Sequence, residues 1–590
     1  MPPSAATRSG GGLSKSACSE WCSEIKTIRR SSRGVPETNR TMGRTTLPLS
    51  RASDSSRLIH HEGELKPRWI QRGNRFTGGD NRYNDIVNPM YPEIESIIAH
   101  AESGEDPRPV ILSEYSHAMG NSNGSLSEYF DAFRRYHALQ GGFIWEWVDH
   151  GIRRERDDGK SYWAYGGDFG EIIHDGNFVA DGLVSPDRVP HPGIWEHKKC
   201  AQPVEVVALS ITDGIFEIRN RYDFISLAGL EGWWETTAEG QIVEKGDLGS
   251  LDVAPGSSLD VRIDFDKRLL TTPETYVRFR FRTREKTAWC AAGHEVAWDE
   301  FAMSRMREPS STGVDSMPID IDGTESGWEL RCGGELVLWR GSYLNLFRAP
   351  IDNDRIRDWE GQEEKPMGLW LAAGLHELVC SDRDTVQTDR GLIEKSRWVG
   401  SDENAQVSCV QVVERATASL VRVECSIEIP ESFPTLPRIG LLLETAPGFE
   451  RVTWYGRGPQ ENHIDRKRGY AVGLYSGRVD DQHVPYLMPQ ENGSKCEVRW
   501  FELSNGSRIV RFSADPLFEF SVHHYTPREL YSCRHEPDID ELRREETIIA
   551  IDHVQRGVGT GSCGPDTRRP YLIEPGTYRF AYWIECKEER

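Results

Sequence analysis

The spacing of apolar residues changes along the chain and divides it into regions. From about Arg57 to Pro192, short apolar runs with polar or Gly/Pro ends alternate with segments of helical period. LIHHEG (Leu58–Gly63) and DIVNPMYP (Asp85–Pro92) read as strands. Pro92 then opens a helix with acids in its first turn, and Ile94, Ile97, Ile98 and Ala101 share one face of it. VILSE, beginning at Val110, predicts the next strand, and Ser125–Leu139 the next helix, with Leu126, Tyr129, Phe130 and Phe133 on one side. GGFIWEWVD predicts a further strand. Such alternation argues for parallel strands joined by right-handed crossovers. It supplies about four strands, where a closed (β/α)8 barrel needs eight.

Beyond Pro192 the period becomes two. VEVVALSI, FEIRNRY, LEGWWETT and YVRFRFRT, within residues 200–305, are separated by turn residues in the manner of a β-sandwich. Met306–Gly323 is rich in Ser, Pro and Asp and reads as a linker. Residues 324–588 are again strand-rich, as in a large antiparallel sandwich, with one short helix near Gly368–Ala373. Residues 1–57 have no apolar periodicity, many Ser, Arg, Thr and Gly, and few acids. They read as a disordered or unrelated leader that holds no secretory h-region.

Composition narrows the function classes. With 590 residues the chain exceeds one core and predicts about three or four domains. A formal net charge of −22 argues against nucleic acid and anionic membrane as partners and fits a neutral substrate. The 18 Trp suit the apolar faces of sugars as well as core packing. The 12 Cys include no CxxC pair, which indicates neither zinc nor a disulfide framework and points to a reducing, cytoplasmic setting. No apolar run reaches the roughly 20 residues that a membrane span needs.

The candidate chemistry concentrates in Val110–Gly151. Glu114 stands at the C-terminal end of a strand, where barrel side chains converge. His117, a Gly/Asn/Ser turn, and Trp145 and Trp147 follow on the same rim.

SEYSHAMGNSNGSLSEYFDAF and LQGGFIWEWVDHG resemble the nucleophile region of bacterial lactose-splitting β-galactosidases of glycoside hydrolase family 2. NPMYP, YGGDFG, DGLVSPDRVPHP, RAPIDND, YGRGPQENHIDRK, PYLMPQENG and GVGTGSCGP continue the likeness in order over roughly Arg57–Cys586. It covers only about the C-terminal half of a full-length member. The resemblance implies the C-terminal half of a TIM barrel over 58–197, an Ig-like β-sandwich over 198–305, a linker over 306–323 and a large antiparallel β-sandwich of the β-galactosidase small-chain type over 324–590.

It also implies retaining hydrolysis of terminal β-D-galactosides, which uses two carboxyl groups about 5–5.5 Å apart. Glu114 is then the nucleophile and Tyr91 orients it. Met90, His117, Trp145 and Asp181 contact substrate, with Trp145 as the galactosyl wall and Trp147 in the core. Phe178, through its carbonyl, and Asp181 hold sodium by resemblance. Magnesium is expected of the family, but its ligands lie before the region of likeness. So does the general acid/base, for which no substitute is found. Glu62, Glu146, Asp149 and Asp168 are weak candidates, and Glu146 should face away from Trp145. Cys563 replaces the Trp that some relatives carry against the second sugar.

The HAMGNS and YGRGP motifs favour galactosides over glucuronides or mannosides. The partners implied are a β-galactoside and either further copies of the chain or a chain complementing the N-terminal half. The alternatives are a catalytically incomplete fragment or a carbohydrate-binding scaffold.

Overall fold

A computed structural model describes residues 26–27, 56–60, 85–304, 316–401 and 405–589. Strands predominate, and the chain divides into two compact units. The first comprises residues 1–113, 128–142 and 197–307, and the second 114–127, 143–196 and 308–590.

In the first unit, Val110, Ile111 and Leu112 are wholly buried. Residues 87–89 run parallel to 109–113: Val87 donates to the Pro109 carbonyl, Ile111 to that of Val87 and Ser113 to that of Pro89, each at 2.9 Å. The expected strand around Val87 is reduced to single bridges, because Pro89 has no N–H to continue the ladder. The helix Ile94–Ser103 buries Ile94 and Ile97 and ends on Gly104 in the left-handed region. Leu126–Arg135 forms the next helix, shorter than expected, and its Tyr129 hydroxyl donates to the Pro92 carbonyl at 2.7 Å. Two leader residues expected to carry no fold, Lys26–Thr27, pair parallel with Ile59–His60. The remaining leader residues up to 55, and Glu62, lie outside the described residues.

The period-two region of this unit forms a four-stranded antiparallel sheet (Gln241–Asp247, Leu230–Ala238, Thr275–Thr283, Glu295–Ala302) and a three-stranded one (Ser258–Arg262, Ile215–Asn220, Val204–Ser210). They share one core. In YVRFRFRT, Val277, Phe279 and Phe281 enter it fully buried, next to Phe216 and Ile218 from the other sheet. Arg278 and Arg280 point oppositely, to Glu235, Glu300 and Glu295. That is the alternation a half-buried strand requires.

The second unit is built on a 14-stranded sheet. Its main path begins Ile319–Thr324, Gly327–Cys332, Glu335–Asn345, Arg438–Thr445, Ile548–Gln555 and Arg508–His523. It continues through Thr577–Glu588, Leu420–Glu428, Gln406–Arg415, Gly391–Val399 and Val379–Thr388. Three further strands, Arg451–Gly458, Ala471–Arg478 and Lys495–Ser504, pair off this path. Its first strand takes up the end of the expected linker, because Ile319 and Ile321 alternate with Asp320 and Asp322 and enter the core. The short helix is Pro366–Ala372, and its buried Trp370 donates Nε1–H to the Thr435 carbonyl at 2.7 Å. Two more helices, Pro527–Ser532 and Glu536–Leu542, went unforeseen, although Thr526 caps the first in a capping box. Among the described residues no helix is long and apolar enough to cross a membrane.

Candidate active site

The strand Val110–Tyr115 carries Glu114, half-buried, near its C-terminal end, and Glu114 is counted in the second unit. The loop after it, SHAMGNSNGS, is buried almost throughout and strained. Ser116, Asn123 and Ser125 have φ of 48°, 66° and 56°, in the region that non-glycine residues avoid. Such a loop persists only if its surroundings over-determine it. Asn123 Nδ2 bonds the Ser116 carbonyl at 2.9 Å and its hydroxyl at 3.0 Å, and the Ser122 hydroxyl bonds the His117 carbonyl.

The remaining restraints come from distant motifs of the second unit. Gln490 accepts from the Asn121 N–H at 3.0 Å, while Asn121 Nδ2 donates to Glu461 and to the Glu491 carbonyl. Asn353 Nδ2 donates to the Ser122 hydroxyl at 3.0 Å. Ser125 donates to the Asp465 carbonyl at 2.7 Å and Gly124 to that of Gly559 at 3.0 Å. At Gly124 a Cβ would lie 2.1 Å from Asp465 Oδ2 and 2.5 Å from the Gly559 nitrogen, so close approach alone requires glycine there.

His117 is 1% exposed, and each ring nitrogen has a neighbour. Nδ1 lies 2.8 Å from the Ser562 hydroxyl, and Nε2 lies 3.7 Å from Asp181 Oδ2. The ring stacks on Phe178 at 5.4 Å, and Phe178 in turn meets Trp359 at 4.9 Å. Trp145 donates Nε1–H to Asp181 Oδ2 at 2.9 Å, and its carbonyl accepts from Ala118 at 2.7 Å.

Burial pushes the Asp181 carboxyl up to about 6, against the pull of the Trp145 donor. Its Oδ1 is buried with no hydrogen-bond partner among the described residues. Glu146, His150 and Asp181 each offer a ligand atom within 4.8 Å of the other two, a group that could hold a metal ion. Farther along, Asn177 Nδ2 and Gln490 Nε2 both donate to Asp352 at 2.8 Å. Burial raises that carboxyl above its ordinary range.

Of the expected site residues, the second unit thus brings His117, Trp145, Phe178 and Asp181 together, with Glu114 at the start of the same loop. Met90 and Tyr91 belong to the first unit, where Tyr91 is buried with φ 48°. Trp147 is not in a core but 59% exposed. Its strand stops at Ile144, so strand alternation does not extend to it. Glu146, expected to face away from Trp145, instead approaches Asp181, to which Trp145 also donates. Asp149 is bonded by Gly182 and His191, and Asp168 by Tyr165 and His535, so both are occupied in loop bracing.

Three family models cover most of the sequence. "Glycosyl hydrolases family 2, TIM barrel domain" matches residues 39–206, "Beta-galactosidase, domain 4" matches 216–304 and "Beta galactosidase small chain" matches 320–584. A β-galactosidase of Priestia megaterium is 32% identical over 529 residues, 86% of this chain and 49% of the relative. Those of an Arthrobacter species and of Photobacterium profundum are each 30% identical, over 89% and 91% of this chain and 55% and 54% of theirs. The chain belongs to glycoside hydrolase family 2.

The chain spans about half the length of these family 2 relatives. The barrel match begins at residue 39, inside the stretch expected to be unrelated to the fold. Ser562, Asn353, Gln490, Asp352, Glu461 and Asp465 are functional neighbours that the sequence reading does not single out, although all lie in motifs shared with the family. The signal was there in those motifs: polar side chains crowded among Gly and Pro, in segments with no strand or helix period to explain them.

Proposed function

We propose that the chain carries the nucleophile half of a retaining β-galactosidase site, with Glu114 as the nucleophile. The observation that carries this reading is the convergence of His117, Trp145, Phe178 and Asp181 beside the buried loop that Glu114 opens. Glu114 attacks the anomeric carbon of a β-galactoside and breaks its bond to the aglycone oxygen, which takes a proton from the second carboxyl or leaves as a stable anion; water then hydrolyses the resulting glycosyl ester. Trp145, held by Asp181, presents an indole face to the ring. Ser562 holds His117 Nδ1, which leaves Nε2 directed toward Asp181 and the sugar hydroxyls. Tyr91 and Met90 are assigned to the same reading, as a positioning and a contact residue.

Sodium fits the donor set. Asp181, whose buried Oδ1 has no hydrogen-bond partner among the described residues, and the Phe178 carbonyl would hold it, and the ion would supply a hard positive charge for a sugar hydroxyl oxygen. Magnesium has no assigned ligands here, and no step runs through it.

The second carboxyl, the general acid, is assigned to a polypeptide segment beyond these 590 residues, for instance a companion chain carrying the N-terminal half. Loss of a general acid typically costs factors of roughly 10² to 10⁴, and the loss falls on leaving groups that need a proton. The purified chain is therefore expected to release dinitrophenolate, which needs none, from its β-galactoside far faster than it cleaves lactose. Glu114→Gln should abolish that release. Efficient lactose cleavage by the chain alone, or dinitrophenolate release that survives Glu114→Gln, would overturn the reading. A non-catalytic carbohydrate-binding scaffold would instead bind galactose without any release.

A further inference from the structure

We propose that Glu146, His150 and Asp181 form a binding site for one divalent first-row transition ion such as Zn²⁺ or Co²⁺. The ligand set differs from that of the proposed sodium site, with which it shares only Asp181. Three observations support it. First, His150 Nε2 and Glu146 Oε1 are 3.1 Å apart, and an oxygen of Asp181 lies within 4.8 Å of both. Two ligands on one tetrahedral ion at about 2.0–2.1 Å stand roughly 3.4 Å from each other, so the first pair already has the required span. Only the Asp181 separation must shorten.

Second, Asp181 is 4% exposed, and its Oδ1 is buried with no hydrogen-bond partner among the described residues. An unsatisfied buried carboxylate oxygen costs free energy that a cation would recover. Its other oxygen is already oriented by Trp145 Nε1–H, the kind of outer contact that fixes metal-ligating carboxylates. Third, imidazole favours zinc, nickel or copper over alkali and alkaline-earth ions, and three protein ligands leave a fourth position open. The His150 side chain is 52% exposed and that of Glu146 28%, so an ion can enter from solvent.

A second trio in the chain, Glu450, Asp480 and His524, shows what an ion-pair cluster looks like instead. There Arg543 bonds Asp480 and approaches Glu450 at 3.9 Å, and Arg478 approaches Glu450 at 3.9 Å. Among the described residues, no Arg or Lys pairs with Glu146 or Asp181. The alternative for the first trio is a simple Glu146–His150 surface ion pair with no metal.

The test is a titration of the tag-free full chain with Co²⁺, read by calorimetry and visible absorption without substrate. Its outcome is therefore independent of whether the glycosidase reading holds. One equivalent should bind, with weak d–d bands and no thiolate charge-transfer band. His150→Ala and Glu146→Gln should each weaken it about tenfold or more, and Glu450→Gln should leave it unchanged. Co²⁺ should also raise the melting temperature of the parent but not of His150→Ala, a readout that covers any variant of altered stability. Zn²⁺ should compete for the site. Absence of saturable binding, or binding of equal strength in the Glu146→Gln/His150→Ala double variant, would overturn the proposal.

Discussion

Asp465→Ala tests whether the loop of residues 116–125 is held by the C-terminal sheet region. The Asp465 carboxylate is 3% exposed and accepts from the Val558 N–H at 3.0 Å and the Gly559 N–H at 2.9 Å. Its own carbonyl accepts from Ser125. At this burial each orphaned amide donor costs about 1–3 kcal/mol. The substitution should therefore destabilise the second unit by roughly 2–6 kcal/mol, a large share of a typical stability of about 5–15 kcal/mol.

Asp465→Asn keeps one acceptor oxygen but turns an NH2 toward the other amide. It should fall between parent and Ala variant. Urea unfolding followed by tryptophan fluorescence gives the difference, and hydrogen exchange at Gly124, Val558 and Gly559 locates it. A loss under about 1 kcal/mol for Asp465→Ala, or unchanged protection at those amides, would show that the loop is not held in this way.

Three other outcomes follow from the same structure. Glu519 and Asp552 face each other on paired strands, and burial with the Asp552 charge pushes the Glu519 carboxyl up to about 8. An acid raised in the folded state binds its proton more tightly there than in the unfolded chain, so stability falls as pH rises from about 4.5 to 8. Glu519→Gln should thus stabilise at pH 9 by roughly 2–4 kcal/mol and be near neutral at pH 4, as read from melts across that range. A Cβ on Gly341 would stand 2.1 Å from the Trp328 ring, so Gly341→Ala should cost about 1–3 kcal/mol, and adding Trp328→Leu should recover part of it. Ser562→Ala removes the hydroxyl 2.8 Å from His117 Nδ1 and should raise KM for galactosides more than it lowers kcat in whatever assembly restores turnover.

Legibility in the sequence tracked local periodicity. Alternation in YVRFRFRT and the helical spacing of Ile94 and Ile97 were readable because each follows from one element's geometry and one buried face. The strand at Ile319–Thr324 was hidden by a polar linker-like composition, and the helices at Pro527 and Glu536 by their brevity, under two turns each. At the site, Glu114 was legible as a strand-end carboxylate. The bracing of its loop was not. Residues 116–125 are tied to positions more than two hundred residues away, such as Asn353, Gln490 and Asp465, and no spacing rule reports contacts of that separation. Trp147, placed in the core by the resemblance, is exposed because the strand expected over GGFIWEWVD ends at Ile144 and gives it no buried face.

On the reading proposed above, in which the second carboxyl lies outside this chain, the bracing bears on how the site could function. A catalytic group must be held to within a fraction of an ångström to contribute fully. Were the Glu114 loop shaped by the element carrying the general acid, it would be undefined without that element. Instead its strained residues are satisfied from within the second unit. Ser116 is bonded by Asn123, Asn121 by Gln490 and Glu461, and Ser125 by Asp465. His117 is likewise set by Ser562 and Phe178. The cost of positive φ at three non-glycine residues, about 1–3 kcal/mol each, is thus met within the second unit, by the loop itself and by Asp465, without the second carboxyl of the proposed site. A partner that supplies the acid then needs only to dock; it need not fold the nucleophile into place. The expected consequence is that hydrogen-exchange protection of residues 116–125 is the same in the chain alone and in a complemented assembly. A large gain in protection there on complementation would show that the loop is shaped by the partner instead.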